Sequence, residues 1–83
     1  MRRVQLDSSL LAAAIYHPQT RWLDVELRNG EQYRYFRVPV ECFHHLLQAE
    51  SKGRYFNYSI RNCFPFQHLT KASAPIALAA DKN

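Results

Sequence analysis

Cationic, aromatic and amide side chains alternate in the short segment that follows Gly53. Lysine and arginine neutralise phosphates, and an exposed tyrosine ring stacks on a base for roughly 1–3 kcal/mol. Arginine also stacks on bases through its planar guanidinium. The sequence therefore predicts a nucleic-acid contact by Lys52, Arg54, Asn57, Tyr58 and Arg61. In the alternative interpretation, Tyr55, Phe56 and Ile60 complete the core and the cations are only solvated.

The chain carries a net charge of +4, and its excess of cations lies in the last third. Residues 1–50 contain six arginines and six acidic residues, so their formal charges balance. Residues 51–83 contain five cationic residues against Asp81 alone. A local basic patch is a candidate contact for phosphate or for an acidic partner. The alternative is the ordinary surface of a small soluble domain.

Cysteine and histidine side chains are the candidates for metal or nucleophile chemistry. Cys42 and His45 lie three residues apart in a predicted helix, and Cys63 with His68 would complete a metal site. Zinc sites usually contain tighter pairs such as C-x2-C, which this sequence lacks. A nucleophilic cysteine needs an oriented histidine, and His44 is too close to Cys42 along the helix to serve. We therefore expect no metal, no cofactor and no enzymatic activity.

Length and composition predict one small globular domain, since the chain has 83 residues and 47% of them are hydrophobic. Two cysteines do not make a disulfide framework. The chain does not open with a signal-peptide pattern, and no apolar run approaches the roughly 20 residues of a membrane span. We therefore expect a cytoplasmic protein with reduced thiols and no membrane contact.

The elements that would position the candidate residues begin with a β-hairpin. Residues 10–16 are predicted as a first strand, because Ile15 and Tyr16 favour strand and a sheet partner follows directly after the break at Pro18. Residues 22–28 alternate apolar and polar side chains, as in a strand with one buried face. Residues 31–38 form the returning strand, and Asn29-Gly30 between the two is a strong hairpin signal.

Two registers are compatible with this hairpin. A two-residue Asn29-Gly30 turn would place Val25 opposite Arg34, whereas a three-residue loop with Gly30 in the left-handed region would place Val25 opposite Tyr33. The other pairs of the second register are Leu23 with Tyr35, Asp24 with Arg34, and Trp22 with Phe36. Favourable cross-strand pairs contribute roughly 0.2–1 kcal/mol each, and the second register has more of them. We therefore predict it, with Tyr33 and Tyr35 on the core face.

A helix of about three turns is predicted from Pro39 to Gly53. Its apolar positions have helical spacing, and they are Val40, Phe43, Leu46 and Leu47. The next segment, residues 54–64, fits either a strand or a short helix, because Phe56 and Ile60 suit both periodicities. Residues 1–4 are predicted to be frayed.

Together these elements predict an α+β fold, in which a three-stranded antiparallel β-meander packs against one α-helix. A short second helix follows, then a disordered C-terminal tail. The domain is predicted at residues 8–68 and the flexible tail at 69–83. Trp22, Arg34 and Phe36 would lie on the sheet face away from the helix. Unless the first strand region or the C-terminal segment covers that face, it is a candidate contact for a protein partner or a second copy.

Several short motifs, in their order and spacing, resemble the KTSC domain family. That family is named after the C-terminal extension of some lysyl-tRNA synthetases, and it also occurs as small stand-alone bacterial and phage proteins. The motifs cover roughly residues 8–66, and they are Ser8-Ser9, Tyr16, Leu23-x-Val25-x-Leu27-x-Asn29-Gly30, Tyr33-x-Tyr35, Val38-Pro39, Ala49-x-Ser51-x-Gly53, Tyr55-Phe56-Asn57 and Ile60-Arg61.

The resemblance implies a small α+β domain without a defined catalytic residue, and its synthetase context suggests RNA binding. We therefore expect a small non-catalytic binding domain. RNA or another nucleic acid is the first candidate partner, bound through the basic aromatic segment after the main helix. The alternative is a module for protein–protein interaction or homo-oligomerisation that uses the exposed sheet face.

Overall fold

An antiparallel sheet of five strands carries two helices on one face in the computed structural model, which describes residues 2–69. The strands follow one another across the sheet in chain order, so the sheet is a meander. The elements are β1 (Arg2–Gln5), β2 (Leu11–His17), β3 (Trp22–Leu27), β4 (Gln32–Tyr35), α1 (Val40–Gln48), α2 (Lys52–Ser59) and β5 (Phe66–Leu69). The predicted α+β class and antiparallel meander are confirmed, but the sheet has five strands rather than three.

The edge strand β1 replaces the frayed start that was predicted for residues 1–4. Its backbone pairs with β2, with Arg3 opposite Ile15. The Arg3 guanidinium also reaches across β2 to the Glu26 carboxylate, at 2.7 Å. Four residues with a single large aliphatic side chain carry little periodic signal, so β1 is formed by its pairing with β2 and not by a pattern of its own.

The opposite edge strand, β5, follows Pro65 and pairs with β4, with Phe66 opposite Tyr35. This strand was not predicted, because the segment has only four residues and these are mixed in polarity. Leu69 is both the last residue of β5 and the first of the predicted flexible tail. The rest of that tail, residues 70–83, lies outside the described residues, so its flexibility stays a prediction.

The hairpin of β3 and β4 has the register of the three-residue loop, as predicted. Val25 is opposite Tyr33, and Asp24 is opposite Arg34. Gly30 has a φ of 94°, in the left-handed region that glycine adopts without a steric penalty. Its N–H donates to the carbonyl of the residue that precedes the loop, Leu27, at 2.9 Å.

The core lies between one sheet face and both helices, and aromatic rings make several of its contacts. Tyr16 of β2 stacks on Phe43 of α1 with ring centroids 5.3 Å apart. Tyr35 of β4 meets Phe56 of α2 edge to face at 5.6 Å. Both tyrosines and both phenylalanines are buried, and Leu23 between the two tyrosines is completely inaccessible. Large rings supply the apolar area that a domain of this size otherwise lacks.

Helix α1 is shorter than predicted, because it ends at Gln48 and not near Gly53. Gly53 instead lies in the first turn of α2. Ser51 starts this second helix, since its side chain accepts a hydrogen bond from the Arg54 N–H at 3.3 Å. Lys52 is the first residue of α2, and its ammonium reaches back to the end of α1, where it donates to the Ala49 carbonyl at 3.0 Å. The glycine is therefore not a helix terminator here.

The ambiguous segment 54–64 is resolved in favour of helix, since α2 extends to Ser59. Phe56 and Ile60 point into the core and are almost completely buried. Tyr58 points the other way, with 78% of its surface exposed. The segment therefore has one buried apolar face and one exposed polar face, as an amphipathic helix should.

Candidate functional site

An open polar groove of about 780 Å³ separates the start of α2 from the loop that precedes β2. Residues 7–10 line one side, and residues 50–54 line the other. Asn57, Tyr58 and Asn62 extend the groove along α2 and into the turn beyond it. Two segments at least 40 positions apart in the chain therefore make a single recess.

A close backbone approach holds the two sides of the groove together. A Cβ added at Gly53 would lie only 3.3 Å from the Leu10 Cβ and 3.5 Å from the Ser8 Oγ. The Ser8 hydroxyl oxygen accepts hydrogen bonds from the N–H groups of Leu10 and Leu11, both at 3.1 Å. Ser8 thus shapes the loop, and the missing side chain of Gly53 lets α2 come up against it.

Four of the five predicted binding residues line this groove, and they are Lys52, Arg54, Asn57 and Tyr58. Arg61 lies outside it, but its guanidinium donates to the Asn57 side-chain oxygen at 3.2 Å. The structure therefore brings all five into one connected surface.

The loop side of the groove, residues 7–10, was missed as a site. Ser8 and Ser9 were noticed only as a family motif, because nothing in the sequence places them next to α2. Their pairing with the helix is a long-range contact, and a periodic pattern within one segment does not predict such contacts.

The groove carries charges of both signs. Lys52 and Arg54 are matched in number by Asp7 and Glu50. Within residues 2–69, no hydrogen bond or ion pair engages the Arg54 guanidinium, which is exposed. A recess of this composition offers donors to phosphate oxygens and also acceptors to the amino groups of bases.

A smaller aromatic pocket of about 140 Å³ adjoins the groove, and Arg61 is one of its lining residues. Leu10 and Asn62 line both recesses. Its lining includes the rings of Tyr33, Tyr35, Phe56 and Phe66. Of the two tyrosines predicted to face the core, Tyr35 is fully buried, whereas Tyr33 is half-buried at the edge of this pocket.

The outer sheet face, away from the helices, contains a second polar cluster. Arg34 donates to the Asp24 carboxylate through two nitrogens, at 2.8 and 2.9 Å, and the His17 ring lies 3.0 Å from the same carboxylate. The Arg34 guanidinium also lies over the Trp22 ring, 4.2 Å from its centroid. Trp22 and Phe36 meet edge to face at 6.1 Å, as the predicted register requires.

The Asp24 carboxyl has a pKa below its usual range. Its partial burial opposes ionisation, but the hydrogen bonds from Arg34 and His17 outweigh that effect. The same bond to Asp24 raises the pKa of Arg34. The cation on this face is therefore held by a partner within the protein.

Cysteine and histidine side chains do not converge in residues 2–69, where no group of three or more potential metal ligands occurs. Cys63 is exposed, and its sulfur lies 3.7 Å from the Tyr58 carbonyl oxygen. Cys42 is half-buried on α1. His45 meets the Tyr55 ring edge to face at 6.4 Å. The set Cys42, His45, Cys63 and His68 that the sequence suggested is thus not assembled by the fold.

No helix in the described part of the chain is long and apolar enough to cross a membrane.

The sequence profile of the KTSC domain matches residues 7–64, a range that contains both sides of the groove. An uncharacterised protein of Stutzerimonas stutzeri is 47% identical over 57 residues, which cover 69% of this chain and 80% of that protein. A lysine–tRNA ligase from a Nostoc species is 36% identical over 64 residues. That alignment covers 77% of this chain but only 11% of the ligase.

Among solved structures, the crystal structure of a KTSC domain protein from Yersinia pestis matches with a TM-score of 0.78 and 30% sequence identity. The match covers 83% of this chain and 97% of that protein.

Proposed function

The chain belongs to the KTSC domain family, and we propose that it acts as a non-catalytic domain that binds RNA through the groove between residues 7–10 and α2. One observation carries the proposal: Lys52, Arg54, Asn57 and Tyr58 share this groove. Cations, an amide and an exposed ring on one recess are the groups that contact phosphates and bases.

Each of these side chains has a specific role in the proposal. Arg54 and Lys52 contact phosphate oxygens along the strand. Tyr58, which is largely exposed, stacks on a base. Asp7 and Glu50 accept hydrogen bonds from base amino groups, which explains why a nucleic-acid groove carries acidic residues.

The relatives add a reason to choose RNA as the first ligand to test. A lysine–tRNA ligase acts on tRNA, and the Nostoc ligase contains a segment related to this chain. A tRNA and a short single-stranded RNA are therefore the natural first probes.

Fluorescence anisotropy with a labelled ten-nucleotide RNA, at about 50 and about 200 mM salt, tests the proposal. Single strands lose affinity with a slope of about −0.7 per phosphate contact, so the two contacts from Lys52 and Arg54 predict roughly sevenfold weaker binding at the higher salt. Arg54→Ala should weaken binding at low salt and reduce the magnitude of the slope by about 0.7. Arg3→Ala makes the same change of charge outside the groove and should leave both quantities unchanged. If the wild type binds neither the RNA nor tRNA at low salt, the proposal is wrong.

A second candidate function, a contact with a protein partner or a second copy, is favoured by the outer sheet face. No element within residues 2–69 packs over Trp22 and Phe36, because both helices lie on the other face. Light scattering over a hundredfold range of protein concentration tests self-association. A mass that rises with concentration, and that Phe36→Ser returns to the monomer value, would support this function, whereas a constant monomer mass contradicts self-association.

A further inference from the structure

We propose that the aromatic pocket beside the groove receives one unpaired nucleobase of the bound RNA. This inference rests on the proposed function and adds a second subsite to it. The pocket lies between the sheet edge formed by β4 and β5 and the end of α2, and it measures about 140 Å³.

The pocket has a buried floor and an open aromatic rim. Tyr35 and Phe56 form the floor, and each is only 2% exposed. Phe66 forms the rim and is 54% exposed. The Phe66 ring lies 5.5 Å from Tyr35 and 5.8 Å from Tyr33, centroid to centroid. A planar ligand entering here would contact rings that are already held in place by the core.

Phe66 is exposed although it lies on the helix-covered face of the sheet. Its pairing with Tyr35 places it on that face, where Leu23 and Tyr35 are buried. Helix α2 ends at Ser59, however, and in residues 2–69 no later helix continues over β5. Removal of apolar surface from water is favourable in proportion to its area, and a base stacked on the Phe66 ring would cover much of its exposed surface.

The pocket adjoins the groove and shares lining residues with it. Leu10 and Asn62 line both recesses, and Arg61 of the pocket is hydrogen-bonded to Asn57 of the groove. A strand whose phosphates lie along Lys52 and Arg54 would therefore pass the mouth of the pocket. Arg61 and Asn62 at that mouth supply donors and acceptors for the edge of a base.

The shape of the pocket selects single-stranded RNA over a duplex. A base can enter a recess floored by Tyr35 and Phe56 only after it leaves its own stack and its pairing partner. Proteins that bind single-stranded RNA or RNA loops commonly stack unpaired bases on aromatic side chains. The proposed ligand is therefore a single strand or the loop of a folded RNA.

Substitution of Phe66 tests the inference with the same ten-nucleotide RNA. Phe66→Ala should weaken binding by about fivefold or more, which is the loss expected for one base–aromatic stack. Phe66→Tyr keeps the ring and should keep the affinity. Val40→Ala removes another exposed apolar side chain, on α1 outside the pocket, and should have no effect. Because Phe66 is half exposed, its substitution leaves the buried core intact, which circular dichroism and thermal melting would verify.

Two further probes identify what the pocket contacts. An abasic ribose-phosphate oligomer of ten units should bind the wild type and Phe66→Ala equally, since it has no base to stack on the ring. Nuclear Overhauser effects should connect base protons of the intact RNA with the Phe66 ring protons.

The outcomes separate this inference from the proposed function. If Arg54→Ala weakens RNA binding but Phe66→Ala does not, the base pocket is wrong and the RNA-binding groove stands. If the wild type binds no RNA at low salt, both are wrong. If Phe66→Ala changes the mass in light scattering and leaves RNA affinity unchanged, the pocket contacts a protein and the inference is overturned.

Discussion

The outer sheet face and the exposed face of α2 both place an arginine near an aromatic ring, but in the described part of the chain only the outer face gives the arginine a partner within the protein. On the outer face, Arg34 is bonded twice to Asp24 and covers the Trp22 ring, so its charge is satisfied within the protein. On the helix side, the Arg54 guanidinium and the Tyr58 ring face the groove with no such partner among residues 2–69. An arginine beside an aromatic residue in the sequence therefore does not by itself indicate a binding site, because the arginine is available to a ligand only if the protein does not already pair it.

The difference follows from the periodicity of the two elements. In Tyr33-Arg34-Tyr35 the strand sends the tyrosines to one face and the arginine to the other, where Asp24 lies opposite it. In α2 Phe56 lies on the buried face, whereas Arg54, Asn57 and Tyr58 are exposed. Only the helical segment keeps its cations and rings available on one surface.

The largest effect should come from the residue that fixes α2 to the sheet. Phe56→Ala removes a buried ring that packs on Tyr35, so we expect a loss of about 3–5 kcal/mol in the free energy of unfolding, and RNA binding should be lost as the groove collapses. Tyr58→Ala, two residues later on the exposed face, should change stability by less than about 0.5 kcal/mol and still weaken RNA binding. Urea denaturation and anisotropy measure the two quantities. Equal destabilisation by both substitutions would contradict the assignment of α2 faces.

Substitutions on the outer sheet face should lower stability without changing RNA affinity. Asp24→Asn removes a carboxylate that is only 14% exposed and leaves Arg34 without its charged partner, so we expect a loss of about 1–3 kcal/mol in stability. Glu26→Gln disrupts the more exposed pair with Arg3 and should cost less than about 1 kcal/mol. Neither should change RNA affinity at a temperature where the variant is folded. Loss of RNA affinity in a folded Asp24→Asn protein would place the binding surface on the outer face.

The pH dependence of stability should depend on Asp24. Because folding lowers the pKa of this carboxyl, its contribution is present above the unfolded-state pKa of about 3.9 and is lost as the pH falls through the lower folded-state value. The stability difference between wild type and Asp24→Asn should therefore shrink between about pH 5 and pH 2. Urea titrations across this range measure it. A difference that stays constant would mean that the ionised carboxylate does not stabilise the fold.

The two glycines provide the finest test of how the groove is built. Gly53→Ala should change stability by less than about 1 kcal/mol, because helix propensity favours alanine while the tight approach to Leu10 opposes it. It should still weaken RNA binding, since the new methyl group crowds the Ser8 loop. Gly30→Ala, at a φ of 94°, should destabilise the hairpin by about 1–2 kcal/mol without changing RNA affinity. If Gly53→Ala binds RNA as well as the wild type does, the close approach of α2 to the Ser8 loop is not needed for RNA binding.

Local sequence patterns predicted the centre of the fold well. The Asn29-Gly30 loop and the alternation on both sides of it predicted the register of β3 and β4, because strand pairing across a short loop is a local matter. The apolar spacing of α1 predicted its buried residues, Phe43 and Leu46, but Val40 of the same predicted stripe is 39% exposed. The motifs also predicted the KTSC family.

The tertiary structure decided the parts that depend on distant contacts. Residues 54–64 fitted two periodicities, and the structure forms the helix: Phe56 is buried against Tyr35, whereas Tyr58, which a strand would place on the same face, is exposed. β1 and β5 are too short to carry a pattern, and they form because a neighbouring strand offers unpaired backbone groups.

The candidate site itself shows the same division. The sequence alone determined which residues after Gly53 have the chemistry to bind nucleic acid, since charge and aromaticity are properties of single side chains. Their arrangement into a groove required the fold, because the opposite side comes from Ser8 and Leu10, more than 40 positions earlier. Gly53 was predicted to end the first helix, but in the structure it lies where α2 contacts the Ser8 loop. Only the fold shows this role, because the lack of a Cβ matters where another segment comes close.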